Sequence, residues 1–163
     1  EPLAQGGGVS ESGEWLRVRP MTLEDCAPLG ELFAEVPGNL DPREELPREL
    51  TRGWVACDGV SGQVLGYALG WWIVDELELL AVASLPEARR RGGGRTLLAN
   101  VVAWTRSAGG ARVTLEVARN NAAARALYES AGFACFHVRR GYYRESGEDA
   151  LELELLLSAT PGR

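Results

Sequence analysis

Histidine is almost missing from this chain of 163 residues, where His137 stands alone. A single imidazole in a strand-like run, with no Cys or His near it in sequence, argues against a histidine-based triad and against a metal site. Cysteine is scarce too. Cys26, Cys57 and Cys135 are scattered, odd in number and without metal spacing, so they read as small buried thiols of a reduced, cytoplasmic protein. No apolar run approaches the roughly 20 residues that span a bilayer, which argues against a membrane segment. Positive charge is not in excess, since the formal net charge is −6. Nucleic-acid binding usually wants a basic face, so no such partner is expected. Glu1 to Glu14 has no basic start and no apolar core, so it does not read as a signal peptide. With Gly6-Gly7-Gly8 it reads as a flexible tail, leaving residues 15–163 as one domain.

What is present is a chain with 45% hydrophobic and 25% charged residues, the balance of a globular domain with a proper core. Trp15 to Arg19 reads as a strand. Thr22 is a candidate N-cap for a helix to about Glu35, and Pro42 to Leu50 reads as a second helix interrupted by Pro47. Trp54–Asp58 and Val64–Ile73 form a hairpin around Gly59 and Gly62. Leu77 to Ser84 is apolar enough to be a central strand. Leu97, Leu98, Val101, Val102 and Trp104 predict the buried stripe of a helix from Arg95 to Ser107. Val113, Leu115 and Val117 alternate with Thr114 and Glu116, which predicts a strand with one apolar face. A helix from about Ala122 to Ala131 ends at Gly132. Phe133–Arg140 and Leu151–Leu157 close the sheet as an antiparallel pair.

The run Arg89-Arg90-Arg91-Gly92-Gly93-Gly94-Arg95-Thr96 joins the central strand to a helix. Glycines let successive N–H groups converge, and a helix N-terminus adds unsatisfied donors and partial positive charge. Arginines add charges that grip phosphate in bidentate fashion. An NTPase P-loop is excluded because no lysine follows Gly94, and a dinucleotide fingerprint because Leu97 stands where its third glycine belongs. A phosphate seat and a plain Gly/Arg-rich surface turn both remain open from this segment alone. Further on, Asn121, Ala124 and Tyr128 are spaced i, i+3, i+7, so they share one helix face.

Arg89, Gly92 and Gly94, taken with the run Asn121 to Phe133, resemble the GNAT superfamily of acetyl-CoA-dependent N-acetyltransferases. Glu116-Val117, Arg139-Arg140-Gly141-Tyr142-Tyr143 and Glu148-Asp149-Ala150 are similar in order and spacing to its RimI type, which acetylates the N-terminal alanine of a ribosomal protein. The resemblance is specific from about Glu76 to Leu157. It implies an α/β (α+β) GNAT fold, with a mixed central sheet of about seven strands flanked by about four helices.

It also implies site residues. Val82, Ala83 and Ser84 pair with the pantetheine arm of acetyl-CoA, and Arg89, Arg90, Arg91, Gly92, Gly93, Gly94, Arg95 and Thr96 hold its pyrophosphate. Asn121 and Ala124 line the arm. Tyr128, whose ordinary pKa is near 10, donates a proton to the leaving thiolate. Glu116 is the candidate base, with an ordinary strand glutamate as the alternative reading, and Glu76, Tyr142 and Tyr143 are candidate substrate contacts. No metal is expected. The implied acceptor is a protein N-terminus, a ribosomal protein among the possibilities, and the implied assembly is a monomer or weak dimer. Acetylation of a small free amine or a lysine, and a non-catalytic acetyl-CoA sensor, are the other readings. Three departures stand out: Gly93 replaces an aliphatic residue, which predicts a looser loop; Ser84-Leu85 replaces a more usual Val-Asp; and Ala118 stands where arginine is frequent.

Overall fold

The computed structural model describes residues 15–36, 40–89 and 91–157. Seven strands form one sheet: β1 (Leu16–Pro20), β2 (Thr51–Asp58), β3 (Val64–Ile73), β4 (Glu76–Ser84), β5 (Arg112–Ala118), β6 (Ala134–Tyr143) and β7 (Glu148–Leu156). Their order is β1-β2-β3-β4-β5-β7-β6. Only β4 and β5 run parallel among the described pairs. Among the described residues five α-helices accompany them: α1 (Gly30–Phe33), α2 (Pro42–Glu45), α3 (Pro86–Arg89), α4 (Gly93–Ser107) and α5 (Ala122–Ser130). The mixed α/β class and the strand count follow the sequence expectation.

The helical expectations before β2 need correction. The helix foreseen from Thr22 to Glu35 is a 3-10 turn, Leu23–Leu29, followed by the single turn of α1. Pro28 lies inside it and withholds the N–H that an α-helix needs. The next helix stops at Glu45 rather than Leu50, because Pro47 cannot continue it. α3 was not foreseen; it starts on Pro86, whose fixed φ suits a first helical position.

Two cores sandwich the sheet. On one face Trp54, Ala56, Leu77, Leu79, Val113 and Leu115 meet Leu97, Leu98 and Val101 of α4. On the other, Val55, Cys57, Tyr67, Leu69 and Ala81 meet Cys26, Leu29, Leu32 and Phe33. Within the α4 stripe, Val102 and Trp104 are only half-buried and Thr105 is buried instead. Its hydroxyl donates back to the Val101 carbonyl at 2.8 Å, so the buried polar atom is satisfied. Cys26 and Cys57 are buried, but Cys135 is exposed on the edge strand β6.

β4 departs from simple alternation. Leu69 pairs with Ala81, yet Gly70 pairs with Leu79, so Leu80 is an extra residue. Such a bulge inverts which face each later side chain meets. Leu77 and Leu79 accordingly face the α4 side, whereas Ala81 packs in the opposite core.

Candidate active site

The bulge coincides with a parting of strands. β4 and β5 pair only from Glu76–Arg112 to Leu79–Leu115. Beyond that point β4 runs on to Ser84 and β5 to Ala118 without pairing to each other. A wedge-shaped gap opens between them, lined by backbone groups that lack sheet partners on that side. The Leu85 N–H donates to the Leu65 carbonyl at 2.7 Å. Strand alternation then directs Ala83 toward β3, and Val82 and Ser84 toward the gap. Of the three residues expected to pair with a cofactor arm, Val82 and Ser84 present backbone to the gap and Ala83 does not. The Ser84 carbonyl is already taken by Arg89 Nε at 2.8 Å.

The loop leaving β4 ends at Gly92, which caps α4 in the left-handed region with φ 74°. Thr96 closes the first turn: its N–H donates to the Gly92 carbonyl at 2.9 Å and its Oγ1 to the same oxygen at 3.0 Å. The N–H groups of Gly93, Gly94 and Arg95 precede that first helical bond and donate to no described residue, so they can converge on an anion. Gly93 tightens the loop rather than loosening it. A Cβ there would lie 2.9 Å from Ala88 Cβ, from the Ala88 carbonyl oxygen and from Ser84 Oγ. Gly94 is less confined, since its nearest neighbour would be Leu127 Cδ2 at 3.3 Å. That neighbour lies on α5, so the fold brings the two cofactor motifs of the sequence side by side.

The arginines divide by role. Arg89 bonds Ser84 and also Glu35 at 3.2 Å. Arg91 donates to Asp58 at 2.8 Å and to the Trp15 carbonyl at 2.8 Å. Both guanidinium groups tie the loop to neighbouring elements. Asp58 was missed in the sequence. It accepts from the Val60 and Ser61 N–H groups with one oxygen and from Arg91 with the other. These bonds hold its carboxyl far below the usual carboxylate range. Arg95 is exposed on the first turn of α4 and forms no ion pair with a described residue. Arg90 lies outside the described residues.

Asn121 caps α5, its Oδ1 accepting the Ala124 N–H at 3.1 Å. That oxygen is therefore occupied, and the side-chain amide N–H groups are what it can offer a cofactor. Ala124 and Tyr128 pack together against the main core. Tyr128 meets Phe133 edge-on, with ring centroids 5.9 Å apart. Burial pushes its phenol up to about 12, so it is a neutral hydrogen-bond donor at any working pH and a weaker acid than a free tyrosine.

Glu116 stands on β5, on the sheet face away from α4. Burial pushes its carboxyl up, as do the neighbouring Glu152 and Glu78. The charge of Arg139 and the nearby Tyr142 act against them and lower it. Arg139 also donates to Glu152 at 2.8 Å and lies 5.4 Å from the Tyr142 ring centroid. Tyr142 and Tyr143 meet edge-on at 5.2 Å. Burial, with Glu116 and Tyr142 nearby, pushes the Tyr143 phenol up. A cleft of about 360 Å³ opens beside them, lined by Ala118, Tyr143, Arg144, Glu145, Ser146 and Glu148. Glu76 is not part of this group. It pairs with Arg112 at 2.8 Å at the closed end of the β4–β5 pair, and Glu78 is the β4 carboxylate near Glu116. Among the described residues no cluster of three or more His, Cys, Asp or Glu could hold a metal, and no helix is long and apolar enough to cross a membrane.

A split parallel pair, a glycine-capped helix following one of its strands and a carboxylate on the other form a site with room for a phosphate-bearing donor beside an acceptor. Residues 20–133 match the family described as Acetyltransferase (GNAT) family, and the chain belongs to it. It is an acetyl-CoA-dependent N-acetyltransferase. It is 38% identical over 100 residues to the [Ribosomal protein bS18]-alanine N-acetyltransferase of Escherichia coli K12, covering 60% of this chain and 68% of that one. It is 42% identical over 93 residues to the N-alpha-acetyltransferase RimI of Mycobacterium tuberculosis, covering 55% and 57%. The crystal structure of the ribosomal-protein-S18-alanine N-acetyltransferase from Escherichia coli superposes with a TM-score of 0.76 at 25% identity, covering 91% of this chain and 99% of that one.

The residues present fit acetyl-CoA. The free N–H groups at the start of α4 suit its pyrophosphate. The unpaired edge of Val82 and Ser84 suits an amide-bearing arm.

Proposed function

We propose that this enzyme acetylates the α-amine of a protein N-terminus, with a ribosomal protein among its acceptors. The supporting observation is the acceptor side of the gap. There Glu116 pairs across the sheet with Glu152, which holds Arg139 against the Tyr142 ring, beside an open cleft walled by Ala118, Tyr143 and Glu148. An extended peptide brings backbone groups that need partners as they leave water, and the hairpin between β6 and β7 offers them. The relatives named as alanine and N-alpha-acetyltransferases favour the same acceptor.

Acetyl-CoA supplies an activated thioester, and the N–C bond forms as the C–S bond breaks. Val82 and Ser84 hold the arm through backbone groups, and Gly93, Gly94 and Arg95 hold the pyrophosphate. Glu116 takes the proton that the attacking amine releases, through an intervening water. An α-amine has a pKa near 7.7–8.0, so a carboxylate suffices as base. Tyr128 steadies the departing sulfur by donating a hydrogen bond. A thiol has a pKa near 8.5 and the Tyr128 phenol is pushed up to about 12. Complete proton transfer from the phenol to the thiolate is therefore uphill.

The test is a panel of short peptides differing in the first residue, run beside polyamines, free amino acids and internal-lysine peptides. CoA release gives the rate and mass spectrometry locates the acetyl group. All 17 basic residues of the chain are arginines, so any acetyl-lysine detected belongs to the acceptor. Peptides beginning with Ala or another small residue are expected to show the highest kcat/KM. Robust turnover of a small amine with none on peptides would overturn the N-terminal reading and leave acetyl-CoA dependence intact.

A further inference from the structure

We propose that Asp149 is a positioning residue of the acceptor site: it clips the β6 bulge that carries Tyr142 to the turn that leads from β5 into α5. The inference rests on Glu116 as base and deepens that reading.

The bulge is visible in the register. Arg139 pairs with Ala150 and Tyr143 with Glu148, so three residues of β6 lie opposite one residue of β7. That one residue is Asp149. Gly141 sits in the middle of the three with φ 59°, a backbone that L side chains rarely adopt. Its N–H, turned out of the ladder, donates to Asp149 Oδ1 at 2.9 Å. The other carboxylate oxygen accepts from Arg119 at 2.8 Å. The Asp149 carbonyl accepts the Arg119 N–H at 2.9 Å, and Asn120 donates to Glu148 alongside. Asn121, the next residue, caps α5 and so sets the start of the helix that holds Tyr128.

One side chain therefore ties together the bulge before Tyr142, β7 and the approach to α5. A bulge with extra residues has several ways to fold back. A charged acceptor on the Gly141 N–H selects one of them, and charge-assisted bonds are the stronger kind. The selected fold sets the Tyr142 ring 5.4 Å from Arg139, which donates to Glu152, the cross-strand partner of Glu116. The groups facing Glu116 are Glu78 from β4, Glu152 from β7, and Arg139, Tyr142 and Tyr143 from β6. Asp149 is not among them, so it influences the base only through geometry.

The geometry makes a signed prediction. Tyr142 lowers the Glu116 pKa, so its displacement lets that pKa rise. Activity requires ionised Glu116, and the acidic limb of kcat/KM then moves to higher pH. Asp149→Ala is expected to show this shift together with a loss of about tenfold or more in kcat/KM for peptide, since small misplacements can cost on the order of a hundredfold. KM for acetyl-CoA is expected to stay at its wild-type value. Asp149→Asn keeps an acceptor for the Gly141 N–H and is expected to restore the limb. Tyr142→Phe should reproduce the shift, and adding Asp149→Ala to it should shift the limb no further.

Glu116→Gln in the same series separates the two readings. If it removes the Glu116 step from the acidic limb, leaving only that of the substrate amine, while Asp149→Ala leaves the limb in place, the clip is refuted and the base stands. If Glu116→Gln leaves the limb unchanged, base and clip are refuted together. Should Asp149→Ala fail to fold, the Tyr142→Phe and Asp149→Asn profiles decide: a shifted limb in the first with a wild-type limb in the second supports the clip. An unshifted limb in Tyr142→Phe overturns it.

Discussion

Replacing Gly93 by alanine adds one methyl group, and the structure says what it meets. The new Cβ would lie 2.9 Å from Ala88 Cβ, 2.9 Å from the Ala88 carbonyl oxygen and 2.9 Å from Ser84 Oγ. Two of these partners belong to α3 and one to the end of β4, so none is the far end of a flexible side chain. Overpacking of this kind costs about 1–3 kcal/mol, and a clash that includes backbone belongs in the upper part of that range. Alanine recovers up to about 1 kcal/mol of helix propensity over glycine. The net expectation is a destabilisation of about 1–2 kcal/mol, or a Tm lower by roughly 2–8 °C for a chain of this length. Relief of the clash must also lift the start of α4 away from β4, which displaces the free N–H groups of Gly93, Gly94 and Arg95 together.

Gly94→Ala is the control. Its Cβ meets only Leu127 Cδ2, at 3.3 Å, so the fold should keep its stability while the methyl group stands near the anion seat. Thermal melts with and without CoA, backed by calorimetric titration, separate the two. Gly93→Ala should lower both the apo Tm and the CoA-dependent rise. Gly94→Ala should reduce only the rise. A Gly93→Ala protein that melts at or above the wild-type temperature would refute the packing argument.

Glu116→Gln should lower turnover about a hundredfold near pH 6.5 and progressively less as pH rises past the α-amine pKa, with peptide saturation and CoA release as the readout. Tyr128→Phe should cut kcat by about tenfold, the worth of one hydrogen bond to developing charge, while calorimetry finds CoA affinity unchanged. Asp58→Ala frees Arg91 and loosens the loop, so Kd for CoA should rise severalfold; Arg91→Ala should match it, with the double variant no worse. Asp25 accepts from both arms of Arg19 at 2.7 and 2.8 Å and from the Thr22 N–H at 2.7 Å, which holds its pKa below the usual carboxylate range. That stabilisation is present above the ordinary carboxylate pKa and lost as pH falls through the lowered one. Asp25→Ala should thus lower the Tm at pH 7 by a few degrees, and the difference should shrink in acid.

Strand alternation made β5 and β7 legible, because Val113, Leu115 and Val117 and then Leu151 and Leu153 face one core while the glutamates between them do not. The glycine run before Leu97 and Leu98 announced the start of α4 for the same kind of reason. The Leu80 bulge left no such mark. The stretch Leu79 to Ala83 is apolar throughout, so a one-residue slip changes no polarity pattern. The salt bridges of the loop arginines were illegible for a different reason. Residue type alone suits them to phosphate, but their partners, Glu35 and Asp58, lie 54 and 33 residues away in sequence, and only the fold brings those carboxylates to the loop. The Arg112 partner of Glu76, 36 residues on in sequence, is likewise brought to it only by the fold.

The division of labour across the gap follows from that one slip in β4. The slip lies in the β3–β4 ladder just after the last β4–β5 pair, and beyond it the β4 backbone facing β5 is unpaired. The extra residue at Leu80 marks where β4 and β5 stop pairing, and each strand then has one free edge. β4 leads into the loop and α4, so its side of the gap collects backbone donors and is the side proposed for the donor substrate. β5 leads into Arg119, Asn121 and α5, so its side collects Glu116 and the β6–β7 hairpin and is the side proposed for the acceptor. Substitutions on the β4 side, such as Gly93→Ala and Asp58→Ala, should therefore act on CoA affinity. Substitutions on the β5 side, such as Glu116→Gln and Asp149→Ala, should act on the pH dependence and on the peptide. Kinetics in which a β4-side variant moved the acidic limb and left CoA binding untouched would break this division.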